Sequence, residues 1–411
     1  MISRLIPFPE ILPQVQVTLD CNCRCSYCFQ THPKGVISLS AVKSVLEKMA
    51  AVKSTGLFPE KKPIPITWHG GEPLMAGLDF FREVLRLQAG FPEVLFLNRI
   101  QTNAILMTED LARLFRDHNF QVGFSLDGPE SVHNCHRKMK KTGQGSFSRA
   151  MEGVEIFRRV TGQEVLPVIA VITRDSVDRA DEIFCFFKEL KARVQLDICD
   201  ISCKNIHPPN PMSLDPLKLI PSPGEVGRFL IRLFDLWFHD SSSGVDFPEL
   251  RDEVKMILQP ETDKGNPFHK RRCSLGRLIF APDGKVYPCD QYLYDPANVL
   301  GDITRDSLKT ILRKRALLWS EIKTGIRRSG KQMACFTCEW GRRHSGGCMT
   351  CLKYNTLLML VRARGMPHRE WVGADLPPFL KNIRGETYYC EGLRLFRAHV
   401  KKTIQREMAH A

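Results

Sequence analysis

The stretch Val15-Gln-Val-Thr-Leu-Asp-Cys21-Asn-Cys-Arg-Cys25-Ser-Tyr-Cys28 decides the fold, because a strand-like alternation runs directly into four cysteines. Cys21, Cys25 and Cys28 have the spacing C-x3-C-x2-C and sit on a loop that is too short to bring their side chains together as one face of a helix or of a strand. A short loop wrapped around a small ligand solves this geometry, and thiolates select iron–sulfur clusters, zinc or copper(I). Cys23 has the wrong spacing and is expected to be a bystander.

Three cysteine ligands would leave one iron of a 4Fe–4S cube without a protein ligand, so that this iron could bind and reduce a cofactor. The residue before the third cysteine is Tyr27, whose flat ring could cover an adenine. This pattern resembles the cluster loop of the radical S-adenosylmethionine (radical SAM) enzymes. The alternatives are a zinc knuckle or a buried cysteine cluster, although zinc normally takes four ligands from paired C-x2-C units.

The composition is that of a globular chain with room for two or three domains. Its 411 residues are 43% hydrophobic and 25% charged. The sequence contains no apolar run of membrane-spanning length and no signal peptide, so we expect a cytoplasmic protein without membrane contact. Fifteen cysteines in a reducing compartment favour metal or cluster ligands over disulfides.

The net charge of +14 raises the question of nucleic-acid binding. The excess is dispersed over short clusters such as Lys138 to Lys141 and Arg313 to Arg315, and no aromatic residues are interleaved with them. A zinc-binding nucleic-acid protein is therefore only a distant alternative. A dispersed positive surface could also attract an acidic peptide.

Strand-like and helix-like segments alternate from residue 15 to about residue 201. The predicted strands are Val15–Leu19, Ile64–Trp68, Val94–Gln101, Gln121–Leu126, Val165–Thr173 and Val194–Ile201. The predicted helices between them are Ser40–Ala51, Leu78–Ala89, Glu109–His118, Phe147–Val160 and Asp178–Lys191. Six such units predict an α/β fold with a parallel sheet, either open or curled into a partial (β/α)6 TIM-like barrel.

The rest of the chain divides by composition. Residues 1–203 form the predicted barrel, and proline density marks 204–264 as a linker with one bridging helix, Gly224–Phe238. Residues 265–400 form a cysteine-rich domain, and 401–411 a basic tail. In a partial barrel, the site is expected at the carboxyl ends of the strands.

The segment His69-Gly70-Gly71-Glu72-Pro73 follows the second strand. Two glycines allow a close backbone approach, and carbonyls beside a carboxylate suit an ammonium group. The segment matches the Gly-Gly-Glu-Pro motif of the radical SAM family, which implies contact of Gly70, Gly71 and Glu72 with the methionyl amine. We expect His69 to be structural.

Polar residues also follow the third and fourth strands. Asn103 ends the segment Gln101-Thr102-Asn103, and Ser125 begins the segment Ser125-Leu-Asp127-Gly-Pro, which is followed by Arg137. The resemblance implies that Asn103 contacts the cofactor, and that Ser125 and Arg137 bind the methionyl carboxylate and ribose. Arginine suits a carboxylate because its fork donates two parallel hydrogen bonds. A surface arginine beside two lysines is the alternative for Arg137.

The last third of the chain contains a second cysteine constellation that resembles the SPASM domain, which holds auxiliary iron–sulfur clusters. The matching residues are Cys273, Cys289, Cys335, Cys338, Cys348 and Cys390, with His344 where the family has a further cysteine. The resemblance implies one auxiliary cluster on Cys273, Cys289 and Cys348 and a second on Cys335, Cys338 and Cys390. Either His344 or Cys351 could complete the second cluster, and Cys335, Cys338, Cys348 and Cys351 could instead bind zinc.

Asp290 directly follows Cys289. The resemblance, strongest to anaerobic sulfatase-maturating enzymes and related peptide maturases, including cyclophane-forming ones, implies that Asp290 accepts a proton. A carboxylate beside an auxiliary cluster would place the proton acceptor next to the electron acceptor. The alternative for Asp290 is an aspartate that caps a turn.

The resemblance implies a radical SAM oxidoreductase that takes a hydrogen atom from a peptide or protein side chain. The product would be an oxidised or cross-linked residue in a ribosomally made peptide or, alternatively, formylglycine in a sulfatase. The implied cofactors are S-adenosyl-L-methionine, one radical SAM 4Fe–4S cluster and one or two auxiliary clusters. The implied partners are the peptide substrate and an electron donor such as flavodoxin or ferredoxin. The first strand begins near residue 15, so a separate leader-binding domain is not expected before it.

Overall fold

A computed structural model describes residues 11–28, 30, 34–53, 62–199, 216–240, 242, 244–259, 276–290, 293, 296–328 and 389–410. Its strands are β1 (Leu12–Thr18), β2 (Ile64–Gly70), β3 (Phe96–Thr102), β4 (Gln121–Ser125), β5 (Leu166–Ile172), β6 (Ala192–Ile198), β7 (Arg277–Phe280), β8 (Lys285–Tyr287) and β9 (Gly301–Asp302).

The helices fall into two groups. Those between the first six strands are α1 (Leu39–Lys53), α2 (Gly77–Ala89), α3 (Glu109–Asp117), α4 (Glu130–His136), α5 (Phe147–Thr161) and α6 (Ala180–Glu189). Those that follow are α7 (Pro216–Leu219), α8 (Pro223–Phe238), α9 (Pro248–Leu258), α10 (Leu308–Arg328) and α11 (Cys390–His410), and short 3-10 turns occur at Pro73–Ala76 and Pro296–Asn298.

The described strands form one sheet in the order β6-β5-β4-β3-β2-β1-β7-β8-β9. Strands β1 to β6 pair in parallel, as six β/α units require, and β7 adds to the other side of β1, also in parallel. Strands β8 and β9 continue the sheet in antiparallel fashion. Since β6 and β9 do not pair with each other, the sheet is not closed. The predicted α/β fold with a partial parallel barrel is therefore confirmed.

The two faces of the sheet differ in polarity, because side chains alternate along each strand. On β2, Ile64, Ile66 and Trp68 are fully buried in the core that the helices cover. Thr67 and His69 point to the opposite face and are only partly buried. The helix-covered face holds the fold together, and the opposite, concave face is left for chemistry.

The hairpin of the second domain joins the sheet of the first. A turn with Gly284 in the left-handed region, at φ 80°, connects β7 to β8. Strand β7 pairs with β1 from Leu12↔Arg277 to Val15↔Phe280. Residues of the cysteine-rich domain are thereby held beside the strand that leads into the cysteine loop.

Residues 401–410, in the segment predicted as a basic tail, form the last turns of α11. This helix packs against α8 and α9. Arg397 donates to the carboxylate of Glu253 in a buried ion pair, and the backbone at Gly392 lies so close to Pro223 that a side chain there would collide with its carbonyl. The domain boundaries expected at 203 and 264 lie outside the described residues.

Across the described segments, the helices are too short or too polar to serve as membrane spans.

Candidate active site

The cysteine loop follows β1 and is held by the segment after α4. Cys23 and Met139 form an antiparallel bridge, the N–H of Arg24 donates to the carbonyl of Lys138 at 2.8 Å, and that of Lys140 donates to Asn22 at 2.8 Å. The backbone of Cys23 therefore fixes the loop, which gives this residue a structural position.

Several N–H groups of the loop and its surroundings point at sulfur. Cys23 N donates to Cys21 Sγ at 3.3 Å, Gln30 N donates to Cys28 Sγ at 3.4 Å, and Asn103 Nδ2 lies 3.8 Å from Cys21 Sγ. Hydrogen bonds of this kind favour thiolate over thiol and tune iron–sulfur clusters.

Two of the thiols need a positive partner in order to ionise. A hydrogen bond with the Cys23 side chain, together with burial, raises the pKa of Cys21. Burial raises the pKa of Cys25, although the charge of Arg137 opposes this. A bound metal supplies the missing positive charge and deprotonates such thiols.

The loop fits a cluster by its donor chemistry and spacing. The charges of Cys21 and Cys28 both act on Cys25, so the three thiols share one environment. In the segments that the structure describes, no three Cys, His or carboxylate side chains converge as a finished ligand set. The assignment of the three ligands therefore rests on spacing, donor type and the N–H groups around sulfur.

Gly70, the last residue of β2, and Gly71 after it are required by the chain's own backbone. A Cβ on Gly70 would lie 2.0 Å from the carbonyl oxygen of Thr18, and one on Gly71 would lie 2.2 Å from that of Asp20. The N–H of Gly71 donates to Thr18 at 2.8 Å, and the N–H of Glu72 donates to Asp20 at 2.9 Å. These contacts clamp the end of β2 to the start of the cysteine loop.

Glu72 connects the ends of β2 and β3. Its buried carboxylate accepts from Leu74 N at 2.9 Å, Thr102 Oγ1 at 2.7 Å and Asn103 N at 2.7 Å. Burial raises the pKa of Glu72 to about 7, against the effect of these hydrogen bonds. Asn103 in turn donates through Nδ2 to Asn22 Oδ1 at 2.7 Å. Glu72 and Asn103 thus brace the cysteine loop.

A buried ion pair lies beside the loop. Arg137 donates from Nε and Nη2 to the two carboxylate oxygens of Asp127, each at 2.9 Å. Tyr27 OH donates to Asp127 Oδ2 at 2.5 Å, and the guanidinium lies 5.5 Å from the centre of the Tyr27 ring. Two donor positions of Arg137 are therefore occupied. The methionyl contact expected from the resemblance would use Nη1, which has no partner among the described residues, or the second N–H of Nη2.

Ser125 stands at the end of β4, where its hydroxyl accepts from Gln101 Nε2 at 3.0 Å. It remains partly exposed on the concave face.

His136 was not anticipated. Its Nδ1 lies 2.6 Å from Ser26 Oγ, and its Nε2 lies 3.1 Å from Thr173 Oγ1 and 3.0 Å from Asp175 Oδ2. The ring therefore connects the cysteine loop to the end of β5. Sequence reasoning missed it because the partners are more than 35 residues away in the chain.

The second domain brings a charged group to the concave face. Asp290 Oδ2 lies 3.5 Å from Arg277 Nη1, and the thiol of Cys289 lies 3.3 Å from Asp290 Oδ1. The opposite charges of Asp290 and Arg277 both act on His69 of β2 and on Asp197 of β6. The carboxylate of Asp290 is therefore near enough to β2 and β6 for its charge to act on side chains of both strands.

Asp197 and Arg277 were also missed. Desolvation at the concave face raises the pKa of Asp197, whose side chain nevertheless remains exposed to solvent, and the nearby charge of Asp290 raises this pKa further. The one signal in the sequence was an acidic residue at an alternating position of a strand, Gln195-Leu-Asp197. Arg277 stands at the start of a short strand, and nothing in its surroundings marks it.

Several expected ligands lie outside the described residues, namely Cys273, Cys335, Cys338, His344 and Cys348. Cys390 begins α11 and is partly buried. Of the expected auxiliary ligands, only Cys289 and Cys390 can therefore be located.

Two family models match the chain. The model of the radical SAM superfamily matches residues 15–187, and that of SPASM, an iron–sulfur cluster-binding domain, matches residues 273–339. Both families imply 4Fe–4S clusters.

Curated relatives extend this similarity over most of the chain. The cysteine-type anaerobic sulfatase-maturating enzyme of Clostridium perfringens is 28% identical over 348 residues, which is 80% of this chain and 86% of the relative. The serine-type enzyme of Klebsiella aerogenes is 27% identical over 348 residues, covering 83% and 80% of the two chains.

Solved structures share the fold. anSMEcpe with bound AdoMet superimposes with a TM-score of 0.73 at 22% identity, over 97% of this chain and 99% of that one. Streptococcus suis SuiB bound to its precursor peptide SuiA has a TM-score of 0.57 at 16% identity, over 84% of this chain and 73% of that one. The two models match in order along one chain, which therefore contains a radical SAM domain followed by a SPASM domain.

Proposed function

We propose that the protein is a maturase that oxidises a side chain of a ribosomally made peptide, giving an oxidised or cross-linked residue. When bound, the clusters and S-adenosylmethionine supply the 5′-deoxyadenosyl radical that takes a hydrogen atom, and an acceptor for the electron that must follow. The observation that carries the proposal is that the carboxylate of Asp290 lies 3.5 Å from Arg277, at the start of β7, and that the charges of both residues act on His69 and Asp197.

Residues around β1 would hold the radical cluster and its cofactor. Cys21, Cys25 and Cys28 would ligate the cluster, and the Glu72–Asn103 network would fix their loop. Tyr27, held through its hydroxyl by Asp127, would present its ring to the adenine. Gly70, Gly71 and Glu72 would contact the methionyl amine, and Ser125 and Arg137 its carboxylate and ribose.

Asp290 would receive the proton. Once a hydrogen atom has left the substrate carbon, that carbon must lose one electron and one proton to reach the oxidised product. The Arg277 guanidinium at 3.5 Å is a counter-charge for the ionised carboxylate, which is the form that accepts a proton. Cys289, as an auxiliary cluster ligand with Cys273 and Cys348, would place the electron acceptor beside the same residue.

The second candidate product is formylglycine, formed from a sulfatase cysteine or serine. The specific support is the similarity to cysteine-type and serine-type sulfatase-maturating enzymes over about 80% of the chain. Solved relatives bind peptides, Cp18Cys in one case and SuiA in another. Both products begin with the same hydrogen abstraction, so the same residues serve either.

Mass spectrometry of treated peptides separates the candidates. Protein reconstituted anaerobically with iron and sulfide is incubated with S-adenosylmethionine, a flavodoxin or ferredoxin reducing system, and one of two substrates. These are any short peptide found to be encoded next to its gene and the Cp18Cys peptide. Loss of two hydrogens with a new side-chain bond supports cross-linking, and replacement of the thiol by a carbonyl supports formylglycine. Formation of 5′-deoxyadenosine with neither change in any peptide offered would contradict the proposal.

A further inference from the structure

Two glutamines on β1 and one histidine on β2 form a polar patch on the concave face, which we call the amide patch (Gln14, Gln16 and His69). Gln16 is fully buried, and neither its Oε1 nor its Nε2 has a hydrogen-bond partner among the described residues. Gln14 is also buried, and its Nε2 lacks a partner in the part of the chain that the structure describes. Buried carboxamides are normally hydrogen-bonded, so these two point to a missing partner.

Strand register places the three side chains on one surface. Gln16 is paired with His69, and Gln14 with Thr67, across the β1–β2 ladder. Paired residues of parallel strands project to the same side, and Val15 and Val17, which alternate with the glutamines, are buried in the helix-covered core. The glutamines therefore point to the concave face, where His69 responds to the charges of Asp290 and Arg277.

His69 contributes a hydrogen-bond donor. Its Nδ1 accepts the N–H of Gly70 at 2.8 Å, so the neutral ring carries its proton on Nε2. Burial, the leading cause, lowers the pKa of His69 and keeps the ring neutral. Within the described part of the chain, no residue is hydrogen-bonded to Nε2. The patch thus offers two amide groups and one N–H.

We propose that the amide patch binds neutral amide groups of the substrate, either the peptide main chain or an asparagine or glutamine side chain next to the residue that reacts. A glutamine carboxamide offers one acceptor and two donors, and so complements an amide with two hydrogen bonds. The identification of this amide with a substrate peptide rests on the proposed function.

Charged ligands fit the patch less well. A carboxylate ligand binds best to cationic groups or to groups that only donate hydrogen bonds, whereas Gln14 and Gln16 each also present an acceptor oxygen. An ammonium group would favour a carboxylate, and the nearby Asp290 already has Arg277 as its partner. Gln16 lies two residues before the end of β1, the strand next to the second domain. The patch is therefore separate from Ser125 on β4, which is expected to bind the methionyl carboxylate.

A crystallographic soak tests the ligand class directly. Crystals of the reconstituted full-length protein are soaked in N-methylacetamide and, separately, in acetate and in methylammonium at equal concentration. The proposal expects the amide alone to bind between Gln14, Gln16 and His69 Nε2. It is overturned if acetate or methylammonium binds there instead, if only water fills the position, or if the glutamines pair with protein groups.

A stability comparison gives an independent result. Gln16→Met keeps the shape of the side chain and removes the unpartnered amide, so we expect the melting temperature of the ligand-free protein to rise by about 1–4 °C. The matched control is Gln88→Met, because Gln88 is buried with both side-chain atoms bonded to Asn98 at 2.9 Å. The control should lose stability. A similar loss in Gln16→Met would show that its amide is already satisfied and would overturn the proposal.

These outcomes are separate from those of the proposed function. The soaks and melting curves involve no catalysis, and 5′-deoxyadenosine formation by the same wild-type preparation reports on the radical chemistry. Amide binding without formation of 5′-deoxyadenosine would support the amide patch and contradict the proposed radical function. Formation of 5′-deoxyadenosine without amide binding would support the radical function and contradict the amide patch.

Discussion

Replacing Asp127 with asparagine is predicted to be among the most destabilising single changes in the barrel. The carboxylate is 2% exposed and accepts four hydrogen bonds, two from Arg137, one from Tyr27 OH and one from Val171 N. Asparagine keeps the shape but turns an NH2 group toward donors and leaves the buried guanidinium without its counter-charge.

The expected loss follows from burial. Removing one partner of a buried ion pair costs about 3–5 kcal/mol. At about 2–4 °C per kcal/mol for a barrel of this size, the melting temperature should fall by about 6–20 °C. Circular dichroism of the cluster-free protein measures this shift without interference from iron.

Asp181→Asn is the matched control. Asp181 also forms a two-point pair with an arginine, Arg232, but both side chains are more than half exposed. Its melting temperature should equal that of the wild type, because exposed pairs contribute little. If Asp127→Asn melted within about 2 °C of this control, the argument from a buried ion pair would be refuted.

The same pair predicts a pH dependence. Burial alone would raise the pKa of Asp127, but the charge and hydrogen bonds of Arg137 outweigh it and hold the pKa below its usual range. The stabilisation is therefore present above the ordinary aspartate pKa of about 4 and is lost as the pH falls below it. The difference in melting temperature between the wild type and Asp127→Asn should therefore become smaller as the pH falls below about 4.

Four further outcomes are expected. Cys23→Ala should retain the radical cluster and S-adenosylmethionine cleavage, since this residue holds the loop through its backbone; loss of loop iron would make it a ligand. Protein without the three loop cysteines should still bind iron and sulfide in its second domain; zinc without sulfide would reject auxiliary clusters. Asp290→Asn should transfer deuterium from labelled peptide into 5′-deoxyadenosine but form about 10²–10⁴-fold less product; normal product yield would remove its role as base. Burial lowers the pKa of His133 to about 4, so the free energy of unfolding should fall by up to about 1.4 kcal/mol per pH unit as the pH drops from about 6.5 to 4. In melting curves recorded at several pH values, His133→Gln should show a weaker dependence on pH; an unchanged dependence would refute the role of His133.

The alternation of strands and helices could be predicted from the sequence because it is local. Strand β2, predicted over Ile64–Trp68, extends over Ile64–Gly70, and helix α3, predicted over Glu109–His118, runs over Glu109–Asp117 after an N-cap at Thr108. In these segments the spacing of apolar residues and the capping side chain determine the element.

Partnerships across the chain could not be predicted in the same way. Nothing near Arg277 indicates that β7 pairs with β1, because strand register depends on residues more than 260 positions apart. Helix α4 was missed because its seven residues show little periodicity. The glycines Gly70 and Gly71 were expected to approach a ligand, whereas their first requirement is contact with the backbone of Thr18 and Asp20.

The most direct test of the account is 5′-deoxyadenosine formation by the reconstituted full-length protein. Wild-type protein is incubated anaerobically with dithionite and S-adenosylmethionine and compared with a variant in which Cys21, Cys25 and Cys28 are alanine. The account predicts brown, iron- and sulfide-containing protein that forms 5′-deoxyadenosine, and a variant that keeps auxiliary iron but forms none. Colourless protein that binds only zinc, or a variant as active as the wild type, would contradict it.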